Sequence, residues 1–218
     1  MRNHLNTTDS AAGTAKEARD RVTQAILPLR GKILNCLRTD ATKALANAEV
    51  KAMVSAFGLQ IVNGKIVVDK DKLRYGKIVI MTDGDVDGSH IRILLLTFIW
   101  KFAKELITEG YVYAAMPPLY KVVKGKDSVY LLDDKALQDY KKKYSNANLT
   151  ISRFKGLGEM SAEQLEETTM SKSNRILKQI EISDIEKCAI TLEGLMGEQV
   201  SYRKTFLEQN ANRINIEV

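Results

Sequence analysis

A short apolar run that ends in three aspartates constrains this chain more than any other segment. Residues 77–82 read Lys-Ile-Val-Ile-Met-Thr, with β-branched residues at the centre of the run. Such a pattern is typical of a strand covered on both faces, as in a parallel sheet. Asp83, Asp85 and Asp87 follow at once, within Asp-Gly-Asp-Val-Asp-Gly. The sequence therefore predicts a buried parallel strand with an acidic turn at its carboxyl end.

The segments after the acidic turn complete a βαβ unit. A helical pattern runs from Ser89 or His90 to about Glu109, and Gly110 is its predicted stop. A second strand is predicted over residues 111–116. Parallel strands joined in this way form a right-handed crossover. Because open α/β sheets bind ligands beyond the carboxyl ends of their strands, we expect the acidic turn to face a binding crevice.

Shorter patterns fill the rest of the chain. They predict a strand or loop at residues 25–29, a helix at 41–57 between Thr39 or Asp40 and Gly58, an extended piece at 66–69, a β-hairpin at 120–132, a helix at 133–143 and a strand at 149–154. Ser161 and Gln164 fit the capping box of a later helix. We therefore predict an α/β fold with a central parallel sheet flanked by helices over residues 1–143. A smaller, mostly helical tail is predicted over residues 144–218.

Composition and charge limit the classes of partner. The longest apolar stretches, such as residues 93–100, fall short of the ~20 residues of a membrane span. The two cysteines, Cys36 and Cys188, lie far apart and form no disulfide framework. We therefore expect a cytoplasmic protein without a membrane partner. Residues 1–80 carry 14 Lys and Arg against 7 Asp and Glu, which favours a polyanionic partner, with a solvated basic face as the alternative.

The acidic turn has three possible roles. Carboxylates this close repel one another unless a cation lies between them. An EF-hand calcium loop that starts at Asp83 requires a bidentate Glu at its twelfth position, where this chain has Leu94, so that site is excluded. A Mg²⁺ site remains, held by Asp83 and Asp85, with His90 available for phosphate. The alternative is a solvated acidic turn that caps the following helix.

Several blocks of sequence, in one order, resemble a known family. Residues 78–92 closely resemble the toprim motif of the B subunits of bacterial type IIA DNA topoisomerases, the family of DNA gyrase and topoisomerase IV. The other blocks that resemble this family are residues 24–35, 117–121, 153–160, 167–170 and 195–198, the last followed by Arg203. The resemblance extends over nearly the whole chain and implies a toprim fold followed by a tail.

The resemblance also implies a function. In that family the toprim domain uses Mg²⁺, which Mn²⁺ or Ca²⁺ can replace, to cleave and religate double-stranded DNA. The nucleophilic tyrosine belongs to the A subunit of an A2B2 heterotetramer, and ATP is used only by the full-length protein. The residues that match family positions are Asp83 and Asp85 as catalytic metal ligands, Asp87 as a further ligand, Lys32 and Asn35 as DNA contacts, and Asp9 and Arg30 as neighbours of a drug site. Arg30 and His90 are further candidate DNA contacts because of their charge and position, with a solvated side chain as the alternative for His90.

The first family motif, matched by residues 7–13, differs at its most important position. Thr7 stands where the family has a catalytic Glu. A hydroxyl is a poor metal ligand and cannot move a proton near neutral pH. Residues 1–6 also lack the apolar pattern of the strand expected before this motif. A non-catalytic module that binds DNA and the A subunit is therefore the alternative function.

A glycine-rich loop at residues 155–158 leaves two interpretations open. The sequence Lys-Gly-Leu-Gly can cradle a phosphate with its backbone N–H groups. It can equally form a tight turn within the tail, because glycine permits backbone conformations that other residues avoid.

Overall fold

A five-stranded sheet forms the centre of the molecule. The computed structural model describes residues 3–211, with side chains from residue 11 onward. The strands are β1 (Asn3–Thr8), β2 (Gln24–Leu29), β5 (Lys77–Met81), β6 (Val112–Ala115) and β10 (Leu177–Gln179), in the order β10-β6-β5-β1-β2. Strands β1, β2, β5 and β6 run parallel to one another, and β10 is antiparallel to β6. The predicted α/β fold with a parallel sheet is confirmed.

Helices and two smaller sheets surround the central sheet. The helices are α1 (Asp9–Ala18), α2 (Ala41–Ala46), α3 (Ala48–Phe57), α4 (Val86–Phe102), α5 (Glu105–Thr108), α6 (Asp134–Lys143), α7 (Ala162–Leu165), α8 (Ile185–Met196) and α9 (Val200–Gln209). Strands β3 (Gln60–Val62) and β4 (Lys65–Val67) pair with each other. Strands β7 (Tyr120–Lys124), β8 (Asp127–Leu131) and β9 (Leu149–Arg153) form an antiparallel sheet in the order β8-β7-β9. The predicted hairpin is therefore confirmed, and the predicted division at residue 143 stays a prediction.

Strand β5 contributes to the core on both of its faces. Ile78 and Ile80 pack in one cluster with side chains of α3 and α4. Val79 and Met81 pack in another, with Leu157 and helices α1 and α7. Residues that alternate along a strand point to opposite faces, so both faces of β5 are buried. This burial explains why the apolar run has no polar interruption.

The strand β1 was not expected from its sequence. Asn3–Thr8 contains Leu5 as its one large apolar residue, yet its backbone pairs with β2 on one side and β5 on the other. The interpretation that residues 1–6 lack a strand was therefore wrong for residues 3–6. Two neighbouring strands that offer free backbone groups on both sides outweigh a weak local pattern.

Two predicted helices differ from the structure at their ends or centres. Helix α4 begins at Val86 rather than at Ser89 or His90, because the Asp85 side chain caps it. It ends at Phe102, so the continuous helix predicted to Glu109 is divided into α4 and α5. The helix predicted over residues 41–57 is likewise divided at Asn47, which caps α3. No helix among residues 3–211 is long and apolar enough to cross a membrane.

Candidate functional site

The acidic turn lies at the carboxyl edge of the parallel sheet. Asp83 follows the last residue of β5 by two positions, and β5 has β1 and β6 as its neighbours. Thr7 pairs in register with Met81, so the backbone of Thr7 reaches the same edge. The side chains of Thr7 and Asp9 lie outside the described residues. The first motif and the acidic turn are therefore on adjacent strands and reach the same edge of the sheet.

The three aspartates of the turn have separate partners. The Leu157 N–H donates to Asp83 Oδ1 over 2.7 Å. The Gly88 N–H donates to Asp85 Oδ1, also over 2.7 Å. Asp87 Oδ1 forms an ion pair with Lys32 Nζ at 2.9 Å. Each negative charge is thus stabilised locally rather than by a single shared group.

The ion pair with Lys32 affects the pKa of the Asp87 carboxyl group. The hydrogen bond and the charge of Lys32 hold the pKa of Asp87 below its ordinary value. Both side chains are more than half exposed, so solvent screens the attraction and the pair contributes little to stability. Asp87 is therefore fully ionised at neutral pH and points toward the basic residue rather than toward Asp83.

The remaining donor atoms suit a small hard cation. No group of three or more His, Cys, Asp or Glu side chains that could hold a metal occurs among the side chains described from residue 11 to residue 211. Mg²⁺ needs only one or two carboxylates, because it keeps several waters and shares phosphate oxygens with its substrate. Asp83 and Asp85 each commit Oδ1 to a backbone N–H, which leaves Oδ2 as a ligand atom. Carboxylates with a free oxygen are ligands of the kind that Mg²⁺ takes in proteins, and water would complete its coordination.

Gly88 is required by the close return of the chain at this turn. A Cβ added at Gly88 would lie 2.2 Å from the carbonyl oxygen of Asp83. No side chain tolerates that distance, so only glycine allows α4 to start directly beside the end of β5. The last glycine of the acidic motif thus fixes where Asp83 and Asp85 lie relative to each other.

Three of the predicted DNA contacts line one cleft. Lys32, Asn35 and His90 border a cleft of about 320 Å³, which Leu195 and Met196 of the tail close on one side. Lys32 and His90 are exposed. Arg30 is also exposed, in the loop after β2, and it is not among the residues that border the cleft. The structure therefore brings together Lys32, Asn35 and His90 beside the acidic turn.

Asn35 also has a structural role that the sequence did not indicate. Its Oδ1 accepts from the Leu37 N–H at 3.1 Å, and its Nδ2 donates to the Met196 carbonyl at 2.7 Å. The Arg38 Nε donates to the same carbonyl at 3.0 Å. Arg203 donates to the Gly197 carbonyl at 2.7 Å. Asn35 and Arg38 thus tether the end of α8 to the segment that follows β2, and Arg203 of α9 stabilises the same end of α8 from within the tail.

A second cavity lies directly behind Asp83. It measures about 250 Å³ and has a mostly apolar lining that includes Met116, Leu119 and Phe154. Arg92 borders it and donates to Thr82 Oγ1, with its Nε at 3.3 Å and its Nη2 at 3.2 Å. The guanidinium group is thus turned toward the end of β5 rather than out to solvent.

The glycine-rich loop contacts the acidic turn, a relationship that sequence reasoning missed. Neither the phosphate-cradle nor the tight-turn interpretation predicts a contact between residues 155–158 and residues 83–87. In the structure, Gly156 packs against the Asp83 carboxylate and the Leu157 N–H binds it. The sequence shows only the glycine; the structure adds that its backbone is extended, with a φ of −159°, so Gly156 is there for space rather than for conformation.

Comparison with known proteins identifies both parts of the chain. The family described as the Toprim domain matches residues 8–117, and the family described as DNA gyrase B subunit, carboxyl terminus, matches residues 146–208. The DNA gyrase B subunit of Thermus thermophilus is 50% identical over 211 residues, which are 96% of this chain and 33% of that protein. The DNA gyrase B subunit of Staphylococcus aureus is 49% identical over 210 residues, 96% of this chain and 32% of that protein.

A plant relative has a similar level of identity. The chloroplastic/mitochondrial DNA gyrase B subunit of Oryza sativa is 47% identical over 210 residues, 96% of this chain and 28% of that protein. The chain therefore spans about a third of the length of the curated relatives it matches. The resemblance inferred from the ordered blocks is confirmed.

Proposed function

We propose that this chain, which belongs to the toprim family, supplies the magnesium-binding half of the DNA cleavage and religation site of a type II DNA topoisomerase. Its residues 146–208 match the carboxyl terminus of the DNA gyrase B subunit, which supports this proposal. The observation that carries this proposal is the acidic turn at the carboxyl edge of β5, between β1 and β6. There, Asp83 and Asp85 each keep one carboxylate oxygen for a cation.

The proposed partners follow from the charges around that edge. Lys32 and His90 border the cleft next to the acidic turn, where they can contact the phosphates of double-stranded DNA. The nucleophilic tyrosine comes from an A subunit, in an A2B2 assembly. ATP is used by the complete enzyme. The cytoplasmic location stays a prediction.

The chemistry is a transesterification at one phosphodiester. The tyrosine oxygen forms a bond to phosphorus while the bond to the DNA 3′-oxygen breaks; the tyrosine proton passes to water, and the 3′-oxygen gains a proton from water. Bound Mg²⁺ supplies neutralisation of the charge that develops on the phosphate and leaving oxygens. Asp83 and Asp85 would hold the cation at the strand edge, while Asp87 pairs with Lys32. Lys32 and His90 orient the DNA backbone. This orientation places the reacting atoms near one another and so increases the rate of cleavage.

A second candidate function is favoured by Thr7. The register of β1 with β5 brings the Thr7 backbone to the edge where the family's Glu is expected, and threonine offers no carboxylate. A chain without that group can bind DNA and the A subunit while contributing no proton transfer. In this case the protein is a non-catalytic binding module.

One experiment separates the two functions. The chain is mixed with a gyrase A subunit, supercoiled DNA, Mg²⁺ and a drug that traps cleaved DNA, and covalent DNA–protein complexes are counted. Complexes that form with the native chain and vanish in Asp83→Ala support the magnesium half-site. Complexes that appear only after Thr7→Glu support the binding module.

A further inference from the structure

We infer that Gly156 and Leu157 are positioning residues for Asp83: they fix its carboxylate so that one oxygen faces the cation. This inference rests on the proposed function, because it assigns a role to Asp83 as a metal ligand. It concerns a loop of the tail that is more than 70 residues away from the acidic turn in sequence. The loop is residues 155–158, called the glycine loop below.

The glycine loop touches the Asp83 carboxylate at two points. The Leu157 N–H donates to Asp83 Oδ1 over 2.7 Å, which is a short bond of the kind that charged acceptors form. A Cβ added at Gly156 would lie 2.9 Å from both Cγ and Oδ1 of Asp83, and 3.2 Å from Oδ2. The carboxylate therefore lies flat against the bare backbone of Gly156.

Glycine is needed at residue 156 for space and not for conformation. Gly156 has φ −159° and ψ 170°, an extended backbone that every residue adopts. An alanine here leaves the backbone unstrained and places a methyl group on the carboxylate of Asp83. The substitution therefore displaces Asp83 specifically, which makes it a probe of position rather than of folding.

The glycine loop is itself held firmly. Leu157 is 2% exposed and packs with Met81 and Met160 in the core cluster on one face of the sheet. The Lys155 N–H donates to Glu159 Oε2 at 2.8 Å, which closes the loop on its other side. A donor anchored in this way can impose an orientation on Asp83, whereas a mobile loop would simply follow it.

The loop also connects Asp83 to the antiparallel sheet. The Phe154 N–H, at the end of β9, donates to the Leu119 carbonyl at 2.9 Å. Phe154 stacks against Tyr130 of β8, with ring centroids 6.5 Å apart. Only Lys155 and Gly156 therefore separate Phe154, which contacts the antiparallel sheet, from Leu157, which binds Asp83.

The consequence for the cation is a matter of orientation. With Oδ1 bound to the Leu157 N–H, rotation of the carboxylate is blocked and Oδ2 is the oxygen left for a metal. Groups that orient a metal ligand in this way change metal affinity by about 10-fold to 100-fold when they are removed. Gly156→Ala should therefore weaken metal binding by about tenfold or more.

Binding of Mn²⁺ to the chain, counted by electron paramagnetic resonance of the free ion, tests this without any need for activity. We expect the native chain to bind Mn²⁺, Asp83→Asn to lose binding and Gly156→Ala to bind at least about tenfold more weakly. Ser161→Ala is the matched control: it removes the cap of α7, three residues beyond the loop, and leaves the contacts of Asp83 intact. Its affinity should equal that of the native chain.

The outcomes distinguish the two proposals. Native affinity in a folded Gly156→Ala, together with loss in Asp83→Asn, overturns the positioning role and leaves the proposed function standing. No binding by the native chain, or full binding by Asp83→Asn, overturns both. Equal weakening in Gly156→Ala and Ser161→Ala assigns the effect to general loosening and also overturns the positioning role.

A metal-free measurement guards against a variant that fails to fold. Amide hydrogen exchange at Leu157 is compared in the native chain and in Asp83→Ala, without added metal. Faster exchange in Asp83→Ala supports the bond between Leu157 and Asp83. Unchanged exchange means that the bond does not hold the loop in solution, and the inference is then wrong.

Discussion

Lys32 and Asp87 form an ion pair in which Lys32 Nζ lies 2.9 Å from Asp87 Oδ1. The pair joins the basic segment after β2 to the first turn of α4. The pair also joins two predicted site residues that the sequence gives different roles: Lys32 as a DNA contact and Asp87 as a further metal ligand. Because both side chains are more than half exposed, a phosphate can replace the carboxylate at little cost. Lys32 is therefore able to pair with a phosphate in place of Asp87, as the proposed function requires.

Removal of Lys32 should weaken DNA binding and its dependence on salt. Lys32→Ala should lower the affinity for a short duplex by about threefold to tenfold, and it should make the slope of log affinity against log salt less steep by about 1. Fluorescence anisotropy at several salt concentrations, in EDTA, measures both quantities. Lys126→Ala is the control, since Lys126 is exposed in the turn between β7 and β8 and does not border the cleft. An equal loss in both variants would show that Lys32 acts through net charge alone.

Removal of the Asp87 charge should have the opposite effect. Asp87→Asn frees Lys32 and removes a negative charge beside the DNA path, so affinity in EDTA should rise by about threefold. The same anisotropy assay detects this change. The gain should be smaller when Asp87→Asn is made in a Lys32→Ala background, because only the loss of the negative charge then contributes. A gain of equal size in that background would mean that the ion pair does not restrain Lys32.

Asn35 should matter for stability as well as for DNA. Asn35→Ala loses two hydrogen bonds, from the Leu37 N–H and to the Met196 carbonyl, and should lower the free energy of unfolding by about 1–3 kcal/mol. Asn35→Asp retains the acceptor for Leu37 but places a carboxylate oxygen against the Met196 carbonyl oxygen, so it should lose at least as much. Urea unfolding measures both variants. If Asn35→Ala and the native chain have the same urea midpoint of unfolding, the tether between the cleft and the tail does not contribute to stability.

The sequence predicts the scaffold of the site well, because the scaffold has local causes. The apolar run of β5 and the position of Gly110 after α5 both depend on neighbouring residues, and both were predicted correctly. The capping box of Ser161 and Gln164 is present for the same reason. The family resemblance rests on blocks of this local kind.

The sequence does not predict contacts whose partners are far apart in the chain. The sequence does not indicate that Asp83, Asp85 and Asp87 each have a separate protein partner. Two of these partners, Leu157 and Lys32, are brought to the turn only by the folded sheet. Strand β1 was missed for the same reason, since its pairing with β2 and β5 is not visible in residues 3–8.

The two cysteines should differ strongly in reactivity. Burial raises the pKa of the Cys36 thiol from 9.0 to about 11, whereas Cys188 is only partly buried on α8. At pH 8 a thiol reagent should therefore modify Cys188 at once and Cys36 only after unfolding, because the thiolate is the reactive form. Absorbance after addition of a disulfide reagent counts the two classes. Rapid modification of Cys36 in Cys188→Ser would contradict the burial.

The same pKa predicts how stability changes at alkaline pH. The folded state keeps Cys36 protonated to a higher pH than the unfolded state does. The unfolded state therefore loses its proton first, and stability falls as pH rises from 9.0 toward about 11. Below this range Cys36 makes no pH-dependent contribution. Urea unfolding at pH 8 and pH 10 should show a smaller decrease for Cys36→Ala than for the native chain; equal decreases would be contrary to this prediction.

Formation of covalent DNA complexes in the Thr7→Glu background tests most directly whether Asp83 holds the catalytic cation. Thr7→Glu and the double variant Thr7→Glu with Asp83→Ala are each combined with a gyrase A subunit and DNA, and the complexes are measured against Mg²⁺ concentration. We expect Thr7→Glu to give complexes that rise and saturate with Mg²⁺, and the double variant to give at least about 100-fold fewer. Equal yields from the two variants would show that Asp83 does not hold the catalytic cation.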